Sequence, residues 1–488
     1  MKTTMKSLSL SLLAAAMVLA GCASPGSIAP QAKLHDSAAE LGLSSSAAPA
    51  KVDATWWTAF NDPQLNALVD KALADNANLR VAAARIERAT AVAESAGAAD
   101  KPNITADVEL QRQHLTENYI YPPPLGGSNI NFGNAELQGS WEFDFFGRNR
   151  AALEAAIGSE RSAEAERDAA RVALASNVAR SYFQLARLGE QKKLAERTLA
   201  QRDELLKLIR QRVDAGLDTN VELRQGEGSI PEARAQLEAL DEQMSLTRHA
   251  LAVLTSQPPN ALDALAPGLQ PVQAVALPAV LPLDLVGQRA DVAAARWRVE
   301  AATQDLKSAR ASFYPNISLT AMVGLQAIGF NNLIDAGSRN AAIGPAISLP
   351  VFDAGRLRAN YHGKAADVDA AVESYNLAVL DAVREAADQI SSSQSITRQQ
   401  RQQDEAQAAA ESAYDLATQR YKAGLGTYLT VLTAETNVIA QRRATADLKA
   451  RALDTQVALA RALGGGYTAR PPTSVAVSQS NAVTTAAR

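Results

Sequence analysis

The sequence is poor in cysteine, histidine and aromatic residues, and each scarcity excludes a class of protein. Its only cysteine is Cys22, which excludes disulfide frameworks and thiolate metal clusters. The four histidines are scattered, and no HExxH, GxSxG or phosphate-loop pattern is present, so we predict no enzyme, cofactor or metal site. Aromatic residues make up only 5% of a chain that is 47% hydrophobic. Alanine supplies much of the apolar content, which favours closely packed helices.

The charge balance shows no excess of basic residues. The formal net charge is −4, and removal of residues 1–21, which hold two lysines and no acid, lowers it to −6. A chain without a basic surface is not expected to bind nucleic acid.

The first 21 residues are typical of a signal peptide. Two lysines precede an apolar run at residues 8–20, which is too short to span a bilayer. The run leads into LAGC at residues 19–22, the pattern of a bacterial lipoprotein signal, so we predict cleavage before Cys22 and its lipidation. The alternative is an ordinary signal followed by an unmodified cysteine. Acyl chains on Cys22 would anchor the protein, and residues 22–55 would form a tether.

The rest of the chain contains one plan twice. QRVDAGLDTNVEL at residues 211–223 has a counterpart in QRYKAGLGTYLTVL at residues 419–432, and aligning Gly424 with Gly216 gives an offset of 208 residues. VAAAR and PNI each recur in the same order, and FFGRNR matches DAGRLR. Offsets of 208 to 213 residues indicate an internal duplication, with a period far too long for a solenoid.

Each copy is predicted to run short helix, strand, loop, strand, very long helix, Ala-Gly-Leu turn and long helix. We place the first copy at residues 56–255 and the second at 286–463. Prolines at residues 256–285 indicate an irregular linker, and residues 464–488 form a C-terminal tail. The helical hairpins are expected at about 148–255 and 356–463.

The very long helices are indicated by the spacing of apolar residues. Residues 148–214 contain no proline, and Leu, Val and Ala recur there every three or four positions. At about 1.5 Å per residue, such a helix is roughly 100 Å long. A soluble coiled coil without a channel would share this pattern. Asp62-Pro63, a capping residue followed by proline, predicts the start of a shorter helix.

Four segments alternate between two kinds of residue, as membrane β-strands do, at about 103–114, 134–146, 316–328 and 343–352. Strands of about ten residues cross a membrane when tilted, with one face towards lipid and the other towards water. The predicted wet face carries five acids in the first copy: Asp107, Glu109, Glu136, Glu142 and Asp144. They predict a negative lumen with a weak preference for cations.

Four strands form an open sheet, which one chain cannot place in a membrane alone. An open edge in hydrocarbon leaves backbone groups unpaired at a cost of several kcal/mol each. Several chains must therefore share one barrel, and three chains supply twelve strands. The alternative is a soluble four-stranded sheet, which leaves a lipoprotein with an uncovered apolar face.

These features resemble the TolC-like outer-membrane factors of tripartite efflux pumps, in particular the lipoprotein branch that works with resistance-nodulation-division transporters. The resemblance spans Trp56 to about Leu463 and rests on the LAGC box, WWTAFNDPQLNALV, FDFFGR, LPVFDAGRLRAN and the two Ala-Gly-Leu turns. One departure is RAD at residues 289–291, where the family usually has a central proline.

The resemblance implies a homotrimer in the outer membrane of a Gram-negative bacterium, with a twelve-stranded barrel continued by a twelve-helix periplasmic tunnel. The implied partners are outer-membrane lipid, a periplasmic adaptor protein and an inner-membrane transporter. The implied function is passive export of drugs or other small toxic compounds. A duct for type I protein secretion and an envelope-spanning coiled-coil structural lipoprotein are the alternatives.

The resemblance also implies roles for residues in and near the two turns. The turns would be periplasmic tips that dock the adaptor through Ala215, Gly216, Leu217, Ala423, Gly424 and Leu425. Glu222 and Tyr421 occupy positions that can form a hydrogen bond between the hairpins and hold a gate closed.

Three further positions near the second turn depart from the family pattern. Thr430 and Thr433 stand where relatives have aspartates that ring the pore, which leaves Leu429 as an apolar narrowing. Gly426 stands where some relatives have an arginine, so a second link between the hairpins is expected to be missing.

Overall fold

A computed structural model describes residues 26–35, 52–269 and 288–468. Cys22 and the predicted signal peptide lie outside the described residues, as do parts of the predicted tether, linker and tail. The chain divides into two compact units. One contains Val81–Arg167 and Ala294–Val379, and the other contains most of the remaining described residues.

The helices of the two copies have equal lengths. After α1 (Pro63–Asp75), the first copy contains α2 (Ala77–Ala98), α3 (Arg148–Asp214) and α4 (Asn220–Leu254). The second copy contains α5 (Ala290–Ala311), α6 (Arg356–Lys422) and α7 (Tyr428–Ala462). The matched helices have 22, 67 and 35 residues in both copies. Two long helical hairpins are therefore confirmed. None of the described helices is both long enough and apolar enough to cross a membrane.

The four predicted strands form one antiparallel sheet in the order β1-β2-β3-β4. They are β1 (Asn103–His114), β2 (Asn129–Phe143), β3 (Asn316–Ile328) and β4 (Arg339–Ser348). Three successive antiparallel pairings make β4 run antiparallel to β1. Among the described residues, β1 and β4 each pair with one strand, so the sheet has two open edges.

The second strand is longer at its start and shorter at its end than predicted. It begins at Asn129 instead of about residue 134, because residues 129–133 pair with the last residues of β1. Their mixture of Asn, Phe and Gly resembled a loop. The strand ends at Phe143 instead of about residue 146, because Asp144 accepts a hydrogen bond from the backbone amide of Arg150, at 2.8 Å, and belongs to the start of α3.

The fourth strand is shifted towards the N-terminus relative to the prediction of residues 343–352. Ser348 pairs with Asn316, the first residue of β3, so β3 provides no partner beyond it. At the other end, Arg339 pairs with Leu325, which extends the strand into the predicted loop.

One face of the sheet is apolar across all four strands. The pairing register aligns two such rows, Ile104, Gly139, Ala321 and Ile343, and Ala106, Leu137, Val323 and Ala341. The large side chains of these rows are exposed, for example 70% for Ile104, 57% for Val323 and 76% for Ile343. A continuous exposed apolar face of this kind requires a lipid or protein covering.

The motif WWTAFNDPQLNALV begins the core of the second unit. Asp62 caps α1, because its carboxylate accepts hydrogen bonds from the backbone amides of Gln64 at 2.9 Å and Leu65 at 3.3 Å. The same carboxylate accepts a hydrogen bond from the buried hydroxyl of Tyr182 on α3, at 2.7 Å. The helix start predicted from Asp62-Pro63 is confirmed, and α1 is fixed against α3.

Residues 26–35 of the predicted tether are held against α6. The carboxylate of Asp369 accepts hydrogen bonds from the backbone amides of Gln31 and Ala32, at 2.7 and 2.8 Å. The buried side chain of Asn376 bonds to the amide of His35 and the carbonyl of Lys33, both at 2.9 Å. This part of the N-terminal segment therefore has a fixed path, which its Ala- and Pro-containing composition did not predict.

Candidate functional site

Two matched turns join the helices of the hairpins. We call residues 215–219, between α3 and α4, tip 1, and residues 423–427, between α6 and α7, tip 2. The central glycine of each has a positive φ, 71° for Gly216 and 75° for Gly424. Such a backbone is strained for any residue with a Cβ, which explains glycine at both places.

The two tips share three backbone hydrogen bonds, and tip 1 has one more, from the amide of Asp218 to the carbonyl of Arg212 at 3.3 Å. The amide of Leu217 donates to the carbonyl of Arg212, and the amide of Leu425 donates to that of Arg420, both at 2.8 Å. Each bond satisfies a carbonyl in the last turn of a long helix. The duplication therefore preserves the turn geometry as well as the Ala-Gly-Leu sequence.

Each tip presents apolar side chains to solvent at matching positions. Leu217 is 65% exposed and its counterpart Leu425 is 71% exposed. Four residues further along, Val221 and its counterpart Leu429 are 62% and 65% exposed. Val221 was not predicted as a site residue, although alignment of the two copies pairs it with Leu429. Exposed apolar side chains clustered on a turn are typical of a protein-binding surface.

Glu222 belongs to the N-terminal cap of α4. Its carboxylate accepts a hydrogen bond from the backbone amide of Thr219 at 2.9 Å, and the Thr219 hydroxyl accepts one from the amide of Val221 at 3.1 Å. The two residues form a capping box. Hydrogen bonds from the Thr219 side chain and backbone lower the pKa of Glu222.

The hydrogen bond between the hairpins is formed by Asp218 instead of the predicted Glu222. The hydroxyl of Tyr421, which is fully buried, donates to the carboxylate of Asp218. The cap of α4 turns Glu222 back towards its own Thr219, while Asp218 lies within the tip beside α6. The predicted pairing is corrected here, and the predicted participation of Tyr421 in a link between the hairpins is retained.

Arg212 of α3 completes this group. Its guanidinium contacts Asp218 through two nitrogens, at 2.9 and 3.2 Å, and donates to the carbonyl of Tyr421 at 3.2 Å. It also lies 4.7 Å from the centre of the Tyr421 ring. The side chains of Arg212 and Asp218 are 13% and 12% exposed, so this bidentate pair is shielded from water. Gly426 has no side chain for the second link that was expected to be missing, but Arg212 of α3 joins the hairpins through its bond to the carbonyl of Tyr421.

We call Arg212, Asp218 and Tyr421 the tip triad. The hydrogen bond from Arg212 lowers the pKa of Asp218, and burial together with the bond to Asp218 raises the pKa of Tyr421. Asp218 is therefore an anion and Tyr421 a neutral donor at neutral pH.

Sequence reasoning missed two members of the tip triad, although a signal was present. The aligned segments QRVDAGLD and QRYKAGLG differ in chemistry at two informative places. Tip 1 has Asp218 where tip 2 has Gly426, and α6 has Tyr421 where α3 has Val213. Each copy supplies the half of the hydrogen bond that the other lacks.

The other predicted gate residues lie near the start of α7. Leu429, Thr430 and Thr433 are all exposed in the single chain. The hydroxyls of Thr430 and Thr427 are 3.1 Å apart, and the Thr433 hydroxyl donates to the carbonyl of Leu429 at 2.9 Å. Both hydroxyls therefore bond to residues of their own hairpin, at the start of α7. The role of Leu429, Thr430 and Thr433 in a pore stays a prediction.

A second ionic group links the hairpins away from the tips. Arg202 of α3 contacts both carboxylate oxygens of Glu435 of α7 at 3.2 Å, and it also contacts Glu232 of α4 at 3.3 Å. The side chains of Arg202 and Glu435 are only 14% and 3% exposed. Burial lowers the pKa of Arg202, but pairing with Glu435 outweighs burial and the pKa is raised. The sequence analysis did not predict this group.

Three of the five predicted lumen acids share one face of the sheet. Asp107 of β1 and Glu136 of β2 are directly paired in the register, and Glu109 lies two residues further along β1. Gln138 donates a hydrogen bond to Glu136 from the same face. Asp107, Glu109 and Glu136 therefore lie on the same face of the sheet, as the prediction of a negative lumen requires.

Glu142 and Asp144 have a structural environment that the sequence analysis did not predict. Glu142 accepts hydrogen bonds from Arg148 at 2.7 Å, Asn149 at 3.3 Å and Asn316 at 3.0 Å. Asp144 lies beyond the end of β2 and caps α3. The prediction that both carboxylates lie free on the water-facing side of the sheet is corrected. Both accept hydrogen bonds where the strands meet α3.

Comparison with known proteins agrees with this architecture. The family described as Outer membrane efflux protein matches residues 68–257 and 281–465, one range in each copy. The chain is 36% identical to the fusaric acid resistance protein FusA of Burkholderia cepacia, over 73% of this chain and 69% of that protein. It is 31% identical to the multidrug resistance outer membrane protein MdtP of Escherichia coli strain K12, over 90% and 91%. The solved outer membrane protein VceC of Vibrio cholerae matches with a TM-score of 0.79 and 35% identity, over 85% of this chain and all of that chain.

Proposed function

The chain belongs to the outer membrane efflux protein family, and from this we infer that it is the exit duct of a tripartite efflux pump. It conducts drugs or other small toxic compounds passively and needs no catalytic group. Relatives named for fusaric acid resistance and multidrug resistance support this class of substrate.

The observation that carries the proposal is the open four-stranded sheet with one apolar face. Because β4 runs antiparallel to β1, β4 of one chain can pair with β1 of the next and continue the antiparallel order. Three chains close a barrel of twelve strands, and closure satisfies the backbone groups at every edge. The homotrimer is therefore the functional form of the protein.

The outer membrane of a Gram-negative bacterium surrounds this barrel. The exposed apolar rows of the sheet face lipid. Phe145 and Phe352, which follow β2 and β4, are 70% and 89% exposed and suit the headgroup region. Acyl chains on Cys22 add an anchor at the N-terminus.

The tips dock a periplasmic adaptor protein that connects the duct to an inner-membrane transporter. Leu217 and Leu425, with Val221 and Leu429 beside them, supply the apolar contact surface. A trimer presents six such surfaces, alternately tip 1 and tip 2. The matched turns of one chain thus serve equivalent positions on one ring.

The tip triad holds the closed state of the duct. Its hydrogen bonds join tip 1 to α6, so the two hairpins of a chain cannot separate there while Asp218 and Tyr421 are paired. Leu429, Thr430 and Thr433 line the closed region. Asp107, Glu109 and Glu136 give the barrel a weak preference for cations, which reversal potentials in a salt gradient measure directly.

Planar-bilayer recording of the purified, lipidated protein, with its native mass measured alongside, tests the proposed function. We expect discrete conductance from a species of three times the chain mass. If the wild type is silent, Asp218→Asn combined with Tyr421→Phe should open it. A monomer, or a double variant that is also silent, would contradict the exit-duct proposal.

Two substitutions on neighbouring residues of β3 test the orientation of the sheet. Val323 lies on the apolar face, whereas Met322 lies on the face that carries the acids. We expect Val323→Asp to prevent insertion, because a charge facing lipid costs about 2–4 kcal/mol near the midplane. Met322→Asp should still form channels. Equal tolerance of both variants would contradict a lipid-facing role for the apolar rows.

A further inference from the structure

A groove lies between the start of α3 and the end of α5, where both helices meet the sheet. Its volume is about 580 Å³, within the range of about 300–1,000 Å³ that is usual for small-molecule sites. It belongs entirely to one compact unit of the chain. We call it the cationic groove, and the argument uses six of its lining residues: Phe146, Arg150, Glu154, Lys307, Arg310 and Tyr314.

Three cationic side chains of the groove come from two different helices. Arg150 lies in the first turn of α3, whereas Lys307 and Arg310 lie in the last turns of α5, and all three are exposed. Within the part of the chain that the structure describes, no side-chain hydrogen bond or ion pair engages any of them. Glu154 is the one acid among the lining residues, so the groove has a net positive charge.

The acids closest to the groove in the sequence already have partners. Glu142 pairs with Arg148 at 2.7 Å, and Asp305 pairs with Lys364 of α6 at 2.9 Å. Asp144 accepts a backbone amide at the start of α3. The cations of the groove are therefore available to an anion from outside the chain.

An aromatic pair closes the end of the groove next to the sheet. The rings of Phe146, which follows β2, and Tyr314, which precedes β3, are stacked with centroids 4.8 Å apart and planes 10° apart. Each residue is 45% exposed, and the neighbouring Phe145 is exposed as well. Exposed aromatic side chains at the end of membrane strands are typical of the headgroup region. The cations thus lie just beyond the apolar rows of the sheet.

The groove faces outwards from the ring of helices. The hydroxyl of Ser308 on α5 donates to the carbonyl of Arg148 on α3 at 3.0 Å, while the ring of Phe313 packs against that of Tyr361 on α6. At about 100° per residue, Ser308 and Phe313 point about 140° apart around α5, and Lys307 lies on the opposite side. A helix in a closed ring has its two neighbours towards the concave side, so the side of Lys307 is the convex, outer one.

The duplication does not repeat this set of cations. Because α2 and α5 have equal lengths, residues 91–98 of α2 correspond to residues 304–311 of α5. Residues 91–98 contain Glu94 and no lysine or arginine. Arg150 has a counterpart in Arg358, which is exposed in the first turn of α6. Arg358 is therefore a matched control, the same residue at the same level without the two cations of α5.

We propose that the cationic groove binds the phosphate group of an anionic phospholipid from the inner leaflet of the outer membrane. Arg150, Lys307 and Arg310 contact the phosphate, as basic pockets next to membrane spans contact lipid headgroups. The acyl chains continue along the apolar rows of the sheet past Phe145, a surface that free phosphate would not use. One headgroup joins α3 of the first copy to α5 of the second. This inference rests on the proposed function, because it assumes a barrel in the outer membrane.

Native mass spectrometry of the purified, lipidated trimer tests the inference, with phosphatidylglycerol as the anionic probe and phosphatidylcholine as the zwitterionic one. We expect one phosphatidylglycerol to be retained per chain, in preference to phosphatidylcholine. Arg150→Gln should weaken phosphatidylglycerol binding about fivefold, equivalent to the roughly 1 kcal/mol that a cation near a membrane surface contributes. The triple variant Arg150→Gln, Lys307→Gln and Arg310→Gln should bind both lipids equally.

Two controls define the site and the ligand. Arg358→Gln should leave phosphatidylglycerol binding unchanged, and a loss equal to that of Arg150→Gln would overturn the inference in favour of diffuse surface charge. Inorganic phosphate in large excess should not displace the lipid, and displacement would overturn the assignment to a phospholipid. A wild type without preference for phosphatidylglycerol, or a triple variant that keeps the preference, would also overturn the inference.

Cross-linking with photoreactive phosphatidylglycerol provides a second measurement. Labelled peptides should contain the start of α3 and the end of α5, and labelling confined to α2 and α6 would contradict the groove. The three substituted side chains are exposed, so the variants should keep the trimeric mass and the conductance of the wild type. A wild type with neither trimeric mass nor channels contradicts the exit duct itself. Trimeric channels without a lipid preference contradict only the phospholipid site.

Discussion

The two copies have helices of equal length and turns that share three backbone hydrogen bonds, yet their charges are arranged differently. In the first copy, α3 supplies arginines that reach the second copy, and tip 1 supplies Asp218. In the second copy, α7 supplies the acids and α6 supplies Tyr421. Length and turn geometry are shared because both hairpins must reach the same ring of tips. The charges differ because each copy has one neighbour within the chain and another outside it.

The largest expected effect is at Glu435, whose counterpart in the first copy is Glu227. Glu435→Gln leaves Arg202 buried without its main partner, and breaking a buried pair costs about 3–5 kcal/mol. Glu232 still contacts Arg202, so we expect a loss near 3 kcal/mol. Denaturant unfolding of the solubilised trimer, followed by its helical signal, measures this loss.

Glu227→Gln is the matched control. Glu227 is 33% exposed and contacts Arg210 and Arg224 near the surface, so we expect a loss below about 1 kcal/mol. Equal losses of unfolding free energy for the two variants would show that the buried pair contributes no more than a surface pair. The different charge arrangement of the two copies would then have no effect on stability.

The next largest effect concerns the tip triad and distinguishes Asp218 from Glu222. Hydrogen bonds to charged groups contribute about 1.5–3 kcal/mol, so Asp218→Asn should raise the ratio of open to closed channels by about tenfold or more. Tyr421→Phe should act in the same direction because it removes the donor. Single-channel open probability measures both effects.

Glu222→Gln separates the gate from the cap. Glu222 bonds to Thr219 at the start of its own helix, so this variant should change open probability much less than Asp218→Asn does. The reverse order, with Glu222→Gln opening the channel and Asp218→Asn silent, would restore the pairing implied by the resemblance to TolC-like factors.

The contrast between Asp218 and Glu222 also marks the limit of sequence reasoning in this chain. Helix lengths were predictable because residues 148–214 contain no proline and keep a three- and four-residue apolar spacing, and the same holds for the second copy. The tips were predictable because glycine is required at a positive φ. The partner of Tyr421 was not, because it depends on a capping box that turns Glu222 away from the neighbouring hairpin.

The strands show a similar limit. Alternation located β1 and β3 well, since their apolar residues occur at every second position. The start of β2 was missed because residues 129–133 pair fully with β1 without alternating strongly. Glu142 fitted the alternation, but its carboxylate accepts hydrogen bonds from three residues outside β2. Arg148 and Asn149 follow the strand in the sequence, and Asn316 is distant in the sequence. The alternation of residue types identifies the face of the sheet on which a residue lies, whereas its hydrogen-bond partners depend on the tertiary structure.

A smaller and equal effect is expected at the two glycines of the tips. Gly216→Ala and Gly424→Ala each force a Cβ into a left-handed backbone, which costs about 1–2 kcal/mol. Crowding adds nothing, because a Cβ meets no atom within 4 Å at Gly216 and only Arg212 Nη1 at 3.8 Å at Gly424. Hydrogen exchange of the tip amides should increase similarly in both variants.

Gly426→Ala is the control for these glycines. A Cβ at Gly426 makes ordinary contacts of 3.5 Å with Arg420 and Tyr421, so we expect little change in exchange. If Gly216→Ala and Gly424→Ala differed strongly from each other, the two turns would not be energetically equivalent despite their matching hydrogen bonds.

The smallest expected effect is that of pH near neutrality, where the tip triad should not respond at all. The pKa of Asp218 is lowered from its ordinary 3.8, so its contribution is complete above 3.8 and is lost as pH falls through the lower folded value. The pKa of Tyr421 is raised from 10.0, so its contribution is complete below 10.0 and is lost as pH rises through the higher folded value. Open probability should therefore be constant between about pH 5 and pH 9 and rise outside the range from 3.8 to 10.0. Asp218→Asn should remove the acidic rise and Tyr421→Phe the alkaline rise. A change between pH 6 and pH 8 in the wild type would mean that a group outside the triad controls the gate, because neither of its titrations lies in that interval.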